Sequence, residues 1–148
     1  TNSSITNNSG ATISSAGNTI RTGGTSDDPS TGYTITNSGK IFSTTTGGKS
    51  AVFFGNVNSS GGTITNNSGG EIYSGGTAAT IKVGGTTTIK NSGSIKNNTS
   101  VDDNVIELLG SNNTVTLEED STLVGKISSA SGTSGNTLKL NLYPDLDL

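Results

Sequence analysis

The amino-acid sequence predicts an all-β protein, a parallel β-solenoid of about five coils with three short strands in each coil. Three observations lead to this prediction. Short phrases of alternating aliphatic and polar residues recur along the chain. Glycine and asparagine separate them, with 22 Gly among 148 residues. Only 27% of the residues are hydrophobic, which suits a narrow core to which each coil contributes a few side chains.

The repeat is clearest in residues 64–72, which read ITNNSGGEI. Related phrases are 5–13, 35–41, 89–95 and a degenerate copy that begins at Val115. In the degenerate copy, residues 118–122 replace the Asn-Ser-Gly turn. The first aliphatic residues of successive phrases are 30, 29, 25 and 26 residues apart. Such spacing indicates structural repeats that carry loops of different length.

Each repeat is predicted to contain strand, turn, strand, loop, strand and loop. In the third copy the strands are 63–66, 71–74 and 79–83. They are short, rich in β-branched residues and alternate apolar with polar side chains, so one face of each strand points to the core. The third strand is expected to recur in 18–21, 50–54, 104–108 and 136–140. Residues 124–134 are small and polar, and no strand is predicted there.

Asparagines mark the corners of the predicted coils. Asn37, Asn66 or Asn67, and Asn91 fall at equivalent corners of their repeats. Stacked amides hydrogen-bond from one coil to the next, so we expect an asparagine ladder with a structural role. Residues 1–148 are expected to form a single domain, a segment of a longer protein, with 141–148 as a terminal exit segment.

The composition excludes several kinds of chemistry. Without Cys or His, the chain has neither thiol chemistry nor a Ser-His-Asp site. A net charge of -3 argues against nucleic acid as a partner, and no apolar run approaches the roughly 20 residues of a membrane span. No Gly-Gly pair is followed by the Asp of the calcium-binding nonapeptide repeat. We therefore expect no cofactor, no metal site and no membrane-spanning segment.

Acidic residues offer little for catalysis. They occur in pairs at Asp27-Asp28 and Asp102-Asp103 and in the run 118–120. Neighbours on a strand point to opposite faces, so at most one of each pair would line a shared cleft. Asp103 and Glu118 are the one pair that stacking of adjacent coils could bring together for glycoside cleavage, which needs two carboxylates about 5–10 Å apart. Solvated loops explain these residues better, and we expect no catalytic residues.

Outward threonines are the candidate binding surface. The Thr-aliphatic-Thr pattern places them in pairs on one face of the first strand of several repeats. The candidate residues are Thr34, Thr36, Thr63, Thr65, Thr114 and Thr116. Ice-binding solenoids carry such pairs, but Lys90 interrupts the row, and irregular coil lengths are expected to disturb its spacing. β-Propensity and hydroxyl ladders explain these threonines adequately.

Nearly the whole chain resembles the passenger domains of bacterial autotransporters, the type V secreted proteins of Gram-negative outer membranes. The segments that carry the resemblance are 35–41, 64–72, 89–95, 103–110, 113–117, 121–125 and 135–140. The resemblance lies in the style of the repeats. It implies a right-handed parallel β-helix that is exported and then displayed on the cell surface or released.

The resemblance also implies a function for the segment. Family members act mostly as adhesins, as self-associating factors or as scaffolds for other domains. We therefore expect a non-enzymatic segment that binds a host-surface protein or glycan, or a copy of itself. The alternatives are a spacer that displays another domain, an ice-binding solenoid and a polysaccharide-active β-helix enzyme. The loops 22–33 and 44–50 would contribute to the binding surface.

Overall fold

The computed structural model describes residues 3–22, 31–54 and 60–141. These ranges contain sixteen β-strands and no helix. The strands are β1 (Ser3–Asn7), β2 (Thr12–Ser15), β3 (Ile20–Arg21), β4 (Tyr33–Asn37), β5 (Lys40–Ser43), β6 (Val52–Phe54), β7 (Thr63–Asn66), β8 (Glu71–Ser74), β9 (Ile81–Val83), β10 (Thr88–Asn91), β11 (Ser94–Asn97), β12 (Asn104–Leu108), β13 (Thr114–Leu117), β14 (Thr122–Val124), β15 (Lys126–Ser129) and β16 (Thr137–Leu140). The exit segment expected at 141–148 lies outside the described residues from 142 onward.

Three parallel sheets wrap around one axis. Sheet 1 has the order β1-β4-β7-β10-β13-β16, sheet 2 has β14-β11-β8-β5-β2, and sheet 3 has β15-β12-β9-β6-β3. Every strand pairs with the strand three places away, so each coil supplies one strand to each sheet. The predicted parallel β-solenoid with three strands per coil is therefore confirmed. We number the coils 1 to 5 by their first strands, β1, β4, β7, β10 and β13. The right-handed coiling of the solenoid that the resemblance implies stays a prediction.

The segment that the sequence assigned to the third strand of the last coil is wrong. Residues 136–140 were expected in sheet 3, but β16 pairs with β13 and belongs to sheet 1. The third strand of coil 5 is β15, which pairs with β12 inside the stretch expected to lack a strand. Ile127 is the one aliphatic residue of β15, so its alternation signal is weak. A single residue, Gly125, with a φ of 123°, separates β14 from β15.

The core consists of three stacked rows of aliphatic side chains, one row for each sheet. In coil order the rows are Ile5, Ile35, Ile64, Ile89 and Val115 in sheet 1; Ile13, Ile41, Ile72, Ile95 and Leu123 in sheet 2; and Ile20, Val52, Ile81, Ile106 and Ile127 in sheet 3. In the middle coils these side chains are fully buried, whereas Ile5, Ile13 and Ile127 are only partly buried. Leu138 pairs with Val115 at the end of the sheet 1 row, but its side chain is exposed. No coil could bury its own apolar face, so stacking supplies the hydrophobic stabilisation.

An asparagine ladder runs beside the sheet 1 row, as predicted. The amide nitrogen Nδ2 of each side chain donates to Oδ1 of the next at 2.8 Å, from Asn7 through Asn37 and Asn66 to Asn91. The ladder uses Asn66 and leaves Asn67 outside, where its Nδ2 donates to Ser38 Oγ at 2.9 Å. All four ladder side chains are buried, and Leu117 takes the next place in the row. Because every amide faces the same way, the Oδ1 atoms of Asn37, Asn66 and Asn91 each accept from the preceding asparagine.

Corners between sheets 1 and 2 alternate in length along the rod. Four residues form the corner in coils 1, 3 and 5, namely 8–11, 67–70 and 118–121, whereas coils 2 and 4 use only 38–39 and 92–93. The short corners end in Gly39 and Gly93. A Cβ on Gly93 would collide with the carbonyl oxygen of Gly70 in the long corner beside it, so glycine is needed for this close stacking.

Tyr33 connects coils that are not neighbours. It begins β4 in coil 2, and its buried ring lies over Gly62 in coil 3, where any Cβ would collide with it. Its hydroxyl reaches coil 4 and bonds Thr87 Oγ1 at 2.8 Å. Burial raises the pKa of Tyr33, and the bond to Thr87 opposes that rise. Tyr33 therefore joins three successive coils.

Candidate binding surfaces

The outward face of sheet 1 carries two rows of mainly hydroxyl side chains, which we call the hydroxyl face. The first row is Ser4, Thr34, Thr63, Thr88, Thr114 and Thr137, and the second is Thr6, Thr36, Thr65, Lys90, Thr116 and Lys139. All six threonines predicted from sequence lie in these rows. Their side chains are exposed or partly exposed, while the residues between them point to the core.

Register along the hydroxyl face is unbroken, which corrects one expectation from sequence. Coil lengths differ, but the strand partners Thr34–Thr63, Thr63–Thr88 and Thr88–Thr114 follow without a shift. The loops absorb the differences in length, so neighbouring hydroxyls repeat at about the 4.8 Å strand spacing. The expected interruption at Lys90 is present, and Lys139 adds a second one.

Threonine makes this face rigid as well as flat. Its β-branched side chain has few χ1 rotamers, and the neighbouring strands restrict it further. A ligand or partner that binds the face therefore loses little side-chain entropy. Each hydroxyl can donate one hydrogen bond and accept others. The arrangement suits many weak, simultaneous contacts with a flat partner.

Sheets 2 and 3 present different chemistry on their outward faces. On sheet 2, the rings of Phe42 and Tyr73 stack with centroids 4.5 Å apart, and Lys96 Nζ lies 5.3 Å from the Tyr73 centroid. On sheet 3, Arg21 lies over Phe53 at 5.8 Å, and Lys82 Nζ pairs with a carboxylate oxygen of Glu107 at 2.7 Å. Charge and aromatic rings are therefore concentrated on these two sheets, and the hydroxyl face has no carboxylate in its two rows.

Glu71 on sheet 2 is held by two lysines from neighbouring coils. Its Oε1 and Oε2 lie 3.4 Å from the Nζ atoms of Lys40 and Lys96, respectively. Burial acts to raise the pKa of Glu71, but the hydrogen bonds and positive charges of both lysines outweigh it, so the pKa is lowered. The three charged groups occupy fixed positions on an otherwise half-exposed face. Such fixed donors and acceptors are suited to ligand recognition.

A groove follows the corner between sheets 1 and 2. It has a volume of about 420 Å³ and spans coils 3 to 5, where the short corner 92–93 lies between the long corners 67–70 and 118–121. Its charged lining residues are Glu71, Lys96 and Asp120. A second groove, of about 430 Å³, follows the corner between sheets 3 and 1 and has no charged residue among its described lining residues. Neither groove could be predicted from the sequence, because each depends on how the coils stack.

The structure separates the carboxylates that were considered for glycoside cleavage. Asp103 immediately precedes β12 of sheet 3 and accepts a hydrogen bond from Thr99 Oγ1 at 2.6 Å. Glu118 follows β13 of sheet 1, where Asn141 Nδ2 donates to it at 2.9 Å and Lys90 Nζ lies 3.1 Å away. These contacts lower the pKa of Glu118. The two carboxylates lie at different corners of the coil and do not face one cleft.

Other acidic residues have simple surroundings. Asp102 is exposed and lies 3.2 Å from Lys126 Nζ. Asp27 and Asp28 lie outside the described residues, as do most of the residues in the loop 22–33. Within the described ranges, no three His, Cys, Asp or Glu side chains cluster so that they could hold a metal ion. The same ranges contain no helix that is long and apolar enough to cross a membrane.

Comparisons with known proteins find no relative of this chain. No protein-family model, no curated protein sequence and no solved structure matches it. The fold and the surfaces described above are therefore the basis for assigning a function.

Proposed function

We propose that this chain is a binding segment of a cell-surface or secreted β-helix protein of the autotransporter type, and that it acts in adhesion or self-association without catalysis. The observation that carries the proposal is the hydroxyl face, with its two rows in register over six strands. A rigid face of ten hydroxyl side chains and two lysines favours contact with an extended surface. Small-molecule substrates usually bind in concave, largely apolar pockets.

The partner is a host-surface protein or glycan, or a second copy of the chain. Two hydroxyl faces are complementary to each other, because every hydroxyl both donates and accepts hydrogen bonds. A two-fold axis would bring the same rows of both copies together, which is the commonest symmetry of homodimers. The lack of cysteine suits export through an oxidising compartment, and the exterior of a Gram-negative outer membrane is the expected location.

The test compares one substitution on the hydroxyl face with the same substitution elsewhere. Thr63→Lys places an ammonium in the middle of the first row, and Thr12→Lys does so at an exposed position of sheet 2 that lies outside both grooves. Beads coated with each chain are counted on cultured epithelial cells, and self-association is followed by analytical ultracentrifugation. Thr63→Lys should weaken contact about tenfold or more, since an ammonium would be desolvated without a partner.

Three outcomes would contradict the proposal. If the wild-type chain neither attaches nor self-associates, a spacer that displays another domain becomes the better reading. If both variants lose contact equally, general positive charge explains the loss, and the hydroxyl face has no special role. Release of reducing sugar from polysaccharides by the wild-type chain would instead favour the enzyme.

Ice binding is a second candidate, favoured by one observation. The unbroken register gives regular spacing to the hydroxyls of the first row, where the sequence led us to expect disturbance. An ordered array of hydroxyls can match an ordered lattice of water. Thermal hysteresis of the wild-type chain that disappears in Thr63→Lys would support this function. Its absence at millimolar concentration would exclude it.

A further inference from the structure

We propose that the groove along the corner between sheets 1 and 2 is a binding site for a short neutral oligosaccharide. This corner groove is the one defined by the short corner 92–93 and the long corners on either side of it. It lies apart from the rows of the hydroxyl face and requires no contact there. It adds a specific ligand class to the adhesion function, and it stands on different residues.

The shape of the corner groove follows from the alternation of corner lengths. Coil 4 turns with two residues, while coils 3 and 5 each turn with four. The chain of coil 4 is thus recessed between two projecting turns, and Gly93 lets it pack tightly against the carbonyl of Gly70. The resulting depression has a volume of about 420 Å³ and is shallow and open to solvent. Such an open site suits a flexible saccharide that keeps one face in water.

The lining of the corner groove matches the hydrogen-bonding capacity of a sugar. Hydroxyl-bearing lining residues are Ser68, Ser92, Ser94 and Thr122. Glycine residues at both corners bring backbone polar groups close to the surface, since they have no side chain to cover them. A pyranose ring presents hydroxyls that donate and accept, so it can pair with both kinds of group.

Charges in the corner groove are already positioned. Lys96 is held between the Glu71 carboxylate, 3.4 Å away, and the Tyr73 ring, 5.3 Å from its centroid. Glu71 is fixed in turn by Lys40 at 3.4 Å. An ammonium and a carboxylate side by side can bind adjacent sugar hydroxyls, one as donor and the other as acceptor. The contacts of Lys96 and Glu71 with their neighbours restrict both side chains, which reduces the entropy lost on binding.

The balance of charge selects a neutral ligand. Lys96 contributes one positive charge to the lining, and Glu71 and Asp120 contribute two negative charges. Lys40 also pairs with Glu71, so the two ammonium groups balance the carboxylates of Glu71 and Asp120 and leave no excess positive charge to hold a sulfated glycan. Binding of an uncharged saccharide needs no change in this balance.

The direct test is a nuclear magnetic resonance titration of the whole chain labelled with ¹⁵N. The probes are cellohexaose, maltohexaose and chitohexaose, each added to millimolar concentration. At least one of them should shift the amide signals of Gly69, Gly93 and Lys96 in a saturable way. The signals of Thr34 and Thr63 on the hydroxyl face should stay unchanged, which separates this site from the surface of the proposed function.

Matched variants make the assignment specific. Ser92→Trp fills the corner groove, and Ser131→Trp does the same in the uncharged groove at the other corner. Lys96→Met removes the ammonium, and Lys82→Met removes one that pairs with Glu107 on sheet 3. Ser92→Trp should abolish the shifts and Lys96→Met should weaken binding about tenfold, the value of one charged hydrogen bond. The two control variants should keep the wild-type affinity.

Three results would overturn the proposal. The first is that none of the three saccharides shifts the amide signals of the corner groove. The second is that Ser131→Trp weakens saccharide binding as much as Ser92→Trp does. The third result is that calcium chloride shifts these amides while the saccharides do not, which would make the groove a cation site. Loss of cell attachment in Thr63→Lys bears on none of these results, so this proposal and the proposed function can fail independently.

Discussion

Replacing Asn66 by alanine tests whether the asparagine ladder holds the coils together. Asn66 is fully buried in the middle of the ladder. Its Oδ1 accepts from Asn37 at 2.8 Å. The two hydrogens of its Nδ2 are shared among Asn91 Oδ1 at 2.8 Å and the carbonyl oxygens of Gly70 and Ser94 at 3.1 and 3.2 Å. Alanine removes these four contacts, which join three coils, and leaves a cavity.

Asn67 provides the matched control, because it is the neighbouring residue of the same type. Its side chain is half-buried outside the ladder and donates one hydrogen bond, to Ser38 Oγ. At about 1 kcal/mol net for each hydrogen bond, Asn66→Ala should cost about 3–4 kcal/mol and Asn67→Ala about 1 kcal/mol or less. The two substitutions remove the same atoms, so the difference between their free energies of unfolding measures the contribution of the ladder.

Urea denaturation followed by circular dichroism measures this difference, since the chain has no tryptophan. With an m-value of about 2 kcal/mol/M, Asn66→Ala should lower the midpoint by about 2 M and Asn67→Ala by about 0.5 M or less. Equal shifts of the midpoint in the two variants would refute the reasoning. They would mean that the amides of the ladder contribute no more than an ordinary corner hydrogen bond.

Three other substitutions test separate contacts. Gly62→Ala drives a methyl group into the Tyr33 ring and should lower the free energy of unfolding by about 2 kcal/mol. In a Tyr33→Ala background the same substitution should lower it by less than about 1 kcal/mol. Equal losses in a calorimetric double-mutant cycle would contradict the contact. Asp120 has a φ of 59° at the turn position that Gly69 fills in coil 3, so Asp120→Gly should stabilise the fold by about 1 kcal/mol in urea, and a loss of stability would contradict this. The pKa of Glu71 is lowered on folding, so its contribution is present above the ordinary pKa of a glutamate and is lost as the pH falls through the lowered one. The melting temperatures of wild type and Glu71→Gln should therefore converge in acid, and a constant difference would count against the two lysine contacts.

The fold could be predicted from the sequence because the residues that form each stacked row recur at the same place in successive repeats. Ile35, Ile64 and Ile89 occur at the same place in their phrases and stack in the structure. Asn37, Asn66 and Asn91 behave in the same way. Asn66 ends β7 and Asn67 follows it, and only Asn66 lies two residues after Ile64, on the inward face of the strand.

Prediction was less successful where the repeat is weak or where coils meet. β15 has one aliphatic residue, whereas β16 has the alternation of a third strand, so local pattern assigned the wrong segment to sheet 3. The threonine rows were visible in the sequence, but their regular spacing was not, because it depends on loops that absorb the differences in coil length. The corner groove and the lysines around Glu71 join residues 25 to 31 positions apart, which no local pattern reveals.

The contact made by Tyr33 has a mechanical consequence. Its ring spans coil 3 and ends on Thr87 in coil 4, so coil 3 is enclosed between two coils that are bonded to each other. Under tension along the chain, a solenoid would otherwise unwind one coil at a time, since each coil contacts only its neighbours. Coils 2 to 4 are expected to yield together in a single larger step. The terminal coils are therefore expected to extend at lower force than coils 2 to 4.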